Sequence, residues 1–229
     1  MLIGILQTGQ PPEDLRLQFG DYPKMFADLL AGQDFSFRSY HVENMEFPRD
    51  VTDCDGWLIT GSRHGVYEDH KFIQPLEAFA RRSIETAKPI VGICFGHQLI
   101  AQAMGGRVER HSAGWAVGQQ EYRFENRNIK VNAWHRDQVV VCPPQAKRIA
   151  TNGFCENAAL LYGRFALTFQ PHPEFRDEYV EGLMATRGRG VVPEDLMTDA
   201  RARMGKGNDA PEVADMIAGF FRTAACKSS

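Results

Sequence analysis

Apolar runs rich in β-branched residues alternate with amphipathic stretches along the first half of this chain. Residues 2–6, 35–42, 56–60 and 90–94 read as strands, and 21–30, 72–86 and 97–104 as helices. In the 72–86 stretch Phe72, Leu76, Phe79, Ala80 and Ile84 recur at intervals of three and four, which predicts one buried stripe. Alternation of this kind predicts βα units around a mainly parallel sheet, an α/β class in which function sits at the carboxyl ends of the strands. From Gln119 to Val141 the pattern shifts to short strands, 121–124, 129–133 and 139–141, which predicts a more antiparallel patch. Another strand, 166–170, runs into Pro171 and Pro173. Two terminal helices are expected at 193–204 and 211–224, each with an early proline where the missing N–H is harmless. Gly205-Lys-Gly207 forms the turn between them.

At 229 residues the chain suits one large domain over 1–229, with a core over 1–184 and a helical tail over 185–229. A net charge of −3, with 43% hydrophobic and 24% charged residues, argues against nucleic acid or an anionic membrane as partner, since both are usually met by a basic face. No apolar run approaches the ~20 residues of a membrane span. Residues 1–9 enter an apolar run without a basic stretch, so no signal peptide is expected. The five cysteines at 54, 94, 142, 155 and 226 show no short paired spacing, which fits neither a disulfide framework nor a zinc ribbon. A reducing compartment, the cytoplasm, is the expectation.

The most specific signal is Pro89-Ile-Val-Gly92-Ile-Cys94-Phe95-Gly96-His97-Gln98. An apolar strand enters, G-x-C-x-G turns, and a helical pattern leaves, which is the layout of a nucleophile elbow. A thiol at a helix start is favoured as thiolate by the partial positive charge there. The N–H of Phe95 would face a developing oxyanion. The bland alternative is a small buried hydrophobe, the usual state of a free cysteine, and the other four cysteines keep that reading. Cys94 and His97 form a C-x-x-H pair without further ligands at suitable spacing, so no metal is assigned.

A thiol nucleophile needs a base, and the base needs an orienting group. In Gln170-Pro-His172-Pro-Glu174, Pro173 pushes His172 toward extended backbone, so His172 and Glu174 point to the same side. His135-Arg-Asp137 offers a second histidine with an acid two positions on, but no proline fixes its backbone, and the 172/174 pair is preferred. The remaining histidines, at 41, 64, 70, 97 and 111, are read as surface or packing residues.

With G-x-C-x-G-x-Q followed much later by His-Pro-Glu, the sequence resembles class I glutamine amidotransferases. Two further segments are similar to the family: Cys54-Asp-Gly-Trp-Leu-Ile-Thr-Gly61-Ser, ending at the oxyanion loop, and Trp134-His-Arg-Asp-Gln-Val139. The resemblance spans 2–184, and the tail looks similar to that of small stand-alone members such as γ-glutamyl peptidases. It implies Cys94 as nucleophile, His172 as base and Glu174 as its orienter, and it decides against His135. It also implies Gly61 and Phe95 N–H groups at the oxyanion, Gln98 placing the glutamyl group, and no cofactor. The implied reaction cleaves a γ-glutamyl amide bond through a thioester. The chain departs from the common Gly-Gly-Pro of the oxyanion loop with Gly61-Ser62-Arg63, which leaves the donor open between Gly61 and Ser62. Gly114-Trp115 is a candidate pocket wall. Three functions compete: an autonomous hydrolase of γ-glutamyl peptides or amides, a glutaminase subunit serving a synthase in trans, and a non-catalytic binding member. The chain lacks a G-x-x-x-x-G-K-[ST] phosphate loop, so any ATP-dependent synthase would be a separate protein.

Overall fold

The computed structural model describes residues 1–225. The strands are β1 Leu2–Leu6, β2 Ser36–Tyr40, β3 Gly56–Ile59, β4 Ile90–Ile93, β5 Arg107–Arg110, β6 Ala116–Phe124, β7 Arg127–His135, β8 Asp137–Val141, β9 Lys147–Thr151, β10 Ala159–Tyr162 and β11 Ala166–Phe169. The helices are α1 Glu13–Phe19, α2 Tyr22–Leu29, α3 Ile73–Glu85, α4 Phe95–Ala103, α5 Asp177–Leu183, α6 Glu194–Arg203 and α7 Ala210–Ala225.

Nine strands form one sheet in the order β2-β1-β3-β4-β11-β10-β9-β6-β7. From β2 to β11 every pairing is parallel, as the βα alternation predicts. From β11 to β7 the pairings are antiparallel, so the expected antiparallel patch is the far end of the same sheet. The exception is β8, which leaves that sheet and pairs with β5 in a separate ribbon.

The strands alternate between two apolar layers because successive side chains point to opposite faces. Leu58, Val91 and Ile93 join Ile3, Ile5 and Phe26 on one face, while Trp57, Ile59 and Ile90 join Leu76, Ala80 and Leu99 of α3 and α4 on the other. The α3 stripe is as expected at Phe72, Leu76 and Ala80, which are buried; Phe79 and Ile84 are half-buried.

Both tail helices pack on the sheet, α7 in the first of these layers and α6 in a third cluster. Val213, Ile217 and Phe221 of α7 lie in the cluster of Ile3 and Ile5, each burial contributing about 1.5–3 kcal/mol. Met197 and Ala200 of α6 pack on Val117 of β6, and the Arg203 guanidinium donates to the Val117 and Gln119 carbonyls. No helix among the described residues is long and apolar enough to cross a membrane. Cys54, Cys94, Cys142 and Cys155 are free thiols; Cys226 lies outside the described residues.

Candidate active site

Three neighbouring parallel strands, β3, β4 and β11, end at one edge of the sheet, and each hands over to a predicted site residue. Strand β3 leads to Gly61, β4 to Cys94, and β11 through Gln170 to His172.

Cys94 has φ 52° and ψ −101°, a conformation that non-glycine residues rarely adopt. Strain of this kind costs on the order of 1–3 kcal/mol and persists where surrounding structure over-determines it. The turn is tight enough that a Cβ on Gly92 would lie 2.5 Å from the Gly96 carbonyl oxygen, so glycine is required there. Helix α4 starts immediately after, which leaves the Phe95 N–H among first-turn donors without an intrahelical acceptor. The Phe95 ring itself is buried against Phe72, at 6.0 Å between centroids.

His172 Nδ1 lies 2.7 Å from Glu174 Oε1, with side chains only 4% and 1% exposed. Cys94 and the imidazole both flank Gly61, close enough for the thiol to act electrostatically on the ring. Burial alone would lower the His172 pKa, but the Glu174 carboxylate and Cys94 together raise it to about 10. The ring is stacked on Phe175 at 4.0 Å and 3°, and the His172 N–H donates to the Asn132 carbonyl at 2.8 Å. The Asn132 amide donates to the Phe175 carbonyl and the Asp177 carboxylate, clamping the segment that carries His172 and Glu174. Phe175 and Asn132 were not singled out from sequence. Phe175 directly follows His-Pro-Glu, which was a usable signal; Asn132 lies on another strand and gave none.

Gly61 lies beneath the His172 ring, where an added Cβ would be 2.7 Å from His172 Cε1. The loop is anchored to β1: the Thr8 hydroxyl donates to the Gly61 carbonyl at 3.0 Å, and the Ser62 hydroxyl donates to the Thr8 carbonyl at 2.7 Å. Ser62 has no positive φ, so the departure from Gly-Gly-Pro adds no backbone strain, and its hydroxyl supplies an anchor. Gln98 is buried, and its amide donates to the Asp137 carbonyl and to Gln170 Oε1, which ties α4 to β8 and β11.

His135 is buried at the end of β7. Neither ring nitrogen has a hydrogen-bond partner, and Asp137 accepts from the Tyr67 hydroxyl at 2.8 Å instead. Burial, assisted by positive His172, pushes His135 down to about 3. The rival His-Asp pair is therefore not assembled. His97 is a packing residue, buried with Nδ1 2.8 Å from the Thr168 hydroxyl.

Cys94, Gln98 and His172 line a cavity of about 310 Å³, with Trp115, as expected, and Trp134 in its wall at 5.6 Å between rings. A larger groove of about 770 Å³ reaches Glu174 but not Cys94, so the chemistry points to the smaller cavity. A cysteine on a strand-to-helix elbow, faced by a buried His-Glu pair at the carboxyl edge of a parallel sheet, has the parts of a thiol hydrolase site. Residues 32–181 match the family Glutamine amidotransferase class-I, and the chain belongs to that family. It is 29% identical over 205 residues to γ-glutamyl peptidase 4 of Arabidopsis thaliana, covering 82% of each chain. Over 153 residues it is 31% identical to a glutamine-hydrolyzing GMP synthase subunit from Methanopyrus kandleri, covering 59% of this chain and 75% of that one. In fold it is similar to a glutamine amido transferase from Methylobacillus flagellatus, at a TM-score of 0.77, 20% identity, and coverage of 97% and 94%.

Proposed function

We propose that this protein cleaves the γ-glutamyl amide bond of a small-molecule substrate, with Cys94 as nucleophile, His172 as general base and acid, and Glu174 as orienter. The Cys94 sulfur attacks the γ-carbonyl carbon, and the oxyanion is held by the N–H of Phe95 and an N–H of the Gly61 loop. His172 passes a proton to the leaving amine, and the C–N bond breaks to give a glutamyl thioester. Water, deprotonated by His172, then attacks the thioester, releasing glutamate and restoring the thiol. Gln98 lines the glutamyl end of the cavity, and the bond cleavage itself calls on neither cofactor nor metal.

The observation that carries this reading is the convergence of Cys94 and His172 on the wall of one cavity, with Glu174 2.7 Å behind the imidazole. The cavity wall is also cationic: Arg63, Arg110, Arg136 and Arg187 stand against Glu68 and Asp137, a charge balance suited to a substrate bearing carboxylates. The chain acts alone in this reading, in the cytoplasm, where free thiols persist. The resemblance to a named γ-glutamyl peptidase across most of both chains supports autonomy over a synthase-subunit role. The test is glutamate release by the purified protein from glutamine and from a set of γ-glutamyl peptides and amides. Turnover of a γ-glutamyl peptide well above that of glutamine, and its loss in Cys94→Ala, is expected. If nothing turned over until a partner from the same cell was added, the synthase-subunit reading would replace this one.

A further inference from the structure

The loop that follows the Gly61 turn carries a second cluster with its own chemistry. His70 Nε2 lies 2.8 Å from Glu68 Oε2, and His64 Nδ1 lies 3.6 Å from the same oxygen. The two imidazole rings lie 4.0 Å apart between centroids, tilted by 53°, and one ligand atom from each of the three residues falls within 4.8 Å of the others. Around a tetrahedral ion with bonds of about 2.0–2.1 Å, neighbouring ligand atoms are about 3.3 Å apart, a distance that the 2.8 and 3.6 Å separations from Glu68 bracket. The other nitrogen of His64, Nε2, is 3.0 Å from Glu43 Oε1. Glu43 comes from a different part of the chain, and it would fix the tautomer that leaves Nδ1 free as a ligand, an outer carboxylate of the kind metal-bound histidines usually have.

The geometry points to a divalent transition-metal site of the zinc class, with His64 Nδ1, Glu68 and His70 Nε2 as ligands and Glu43 as the outer partner. Two imidazoles and one carboxylate suit zinc or its neighbours and not calcium or magnesium, which take oxygen ligands. The ligand loop is built for short reach: the Glu68 N–H donates to the Gly65 carbonyl, and the His70 N–H to the Glu68 carbonyl. His64 and Glu68 also face the cavity that holds Cys94, so the ion sits at its rim with a fourth position open to water or to a substrate carboxylate. Bound there, it ties the loop bearing Gly61 and Ser62 to Glu43, and it stabilises the folded chain by mass action. This site stands independently of the hydrolase reading, because it does not use Cys94 or His172.

The test is titration of the full chain, as the Cys94→Ala variant, with cobalt(II) followed by its visible d–d absorption, and with zinc followed by calorimetry. Removing the thiol prevents the Cys94–His172 pair from acting as a competing site. One ion per chain is expected, with a cobalt spectrum of nitrogen and oxygen ligation and a rise in Tm on binding. His64→Ala and His70→Ala should each weaken binding by at least about 100-fold, and Glu43→Gln by about 10–100-fold, as second-layer partners of metal histidines do. The His70 side chain is about one-third exposed, so His70→Ala should keep its fold by circular dichroism and remain interpretable. Absence of binding in the Cys94→Ala variant, or binding that survives both histidine substitutions, would overturn the site.

Discussion

Replacing Glu174 with glutamine removes one charge from the buried pair while keeping its shape. The His172 Nδ1–H can still donate to the amide oxygen, so the 2.7 Å contact survives as a neutral hydrogen bond. The new amide group takes the place of Glu174 Oε2, which is buried without a partner, and an orphaned donor there costs about 1–3 kcal/mol. Breaking a buried ion pair outright costs about 3–5 kcal/mol, and the retained hydrogen bond brings the expected total to about 3 kcal/mol near pH 6. In a chain of this size that lowers Tm by about 6–12 °C. The pH dependence follows from the direction of the shift. His172 is raised in the folded protein, so its stabilising contribution is full below its unfolded pKa of about 6.5 and is lost as pH rises through about 10. In Glu174→Gln the largest raising charge is gone and burial opposes the charged imidazole with only Cys94 left against it, so that contribution shrinks. Urea unfolding of both proteins at pH 6, 8 and 10 should show a gap that is widest at pH 6 and narrows toward pH 10. Turnover in the variant should fall by about 10²-fold and remain measurable, since the imidazole is still oriented. A stability gap that stays constant or widens with pH, or full activity in the variant, would refute the role given to the Glu174 charge.

His172→Ala should abolish turnover, whereas His135→Ala should cost less than the ~10²-fold floor of general-base catalysis, because His135 is neutral and held by no acid; a dead His135→Ala beside an active His172→Ala would reverse the assignment. Intact-mass analysis after treatment with a glutamine-like electrophile should find one adduct, on Cys94; burial pushes Cys54 up and Cys155 to about 12, so labelling of either with Cys94 untouched would contradict the elbow reading. Phe221→Ala should destabilise by about 3–5 kcal/mol in urea unfolding, whereas a helix that merely decorated the surface would lose less than about 0.5 kcal/mol.

What was legible in the sequence is what short-range geometry determines. The elbow needs a strand, two glycines and a helix start within a dozen residues, and the His172 to Glu174 contact needs only an extended backbone between two prolines. Short elements escape pattern reading: β5 buries only Val108 and α1 only Leu15, while β10 and α5 bury three positions each in runs of four and seven residues, too short to show a period. The β6–β7 hairpin was read too short because its buried faces include Gln119, Asn132 and His135, whose polarity breaks the alternation that marks a strand. Asn132 is buried because its amide reaches Phe175 and Asp177, more than forty residues away, and nothing local announces those partners.

The same distinction explains why the histidines divided as they did. A histidine pattern two residues apart predicts a contact only if the backbone between is extended, and prolines state that condition in the sequence. His135 and Asp137 satisfy the spacing, but Tyr67 from a distant loop takes the carboxylate, which leaves the imidazole buried and unpaired. His64 and His70 show the reverse: a chain reversal at Gly65 brings together two residues with no shared periodicity, and Glu43 completes the group from 21 positions away. Sequence spacing therefore identified the pair whose geometry is fixed locally and passed over the cluster whose geometry is fixed by the fold. The cluster lies on the same loop as Gly61, so whatever orders that loop also bears on the proposed oxyanion donor. Metal binding and hydrolysis are for that reason to be measured on the same preparations, with Cys94→Ala reporting the first alone and Glu43→Gln testing whether the second follows it.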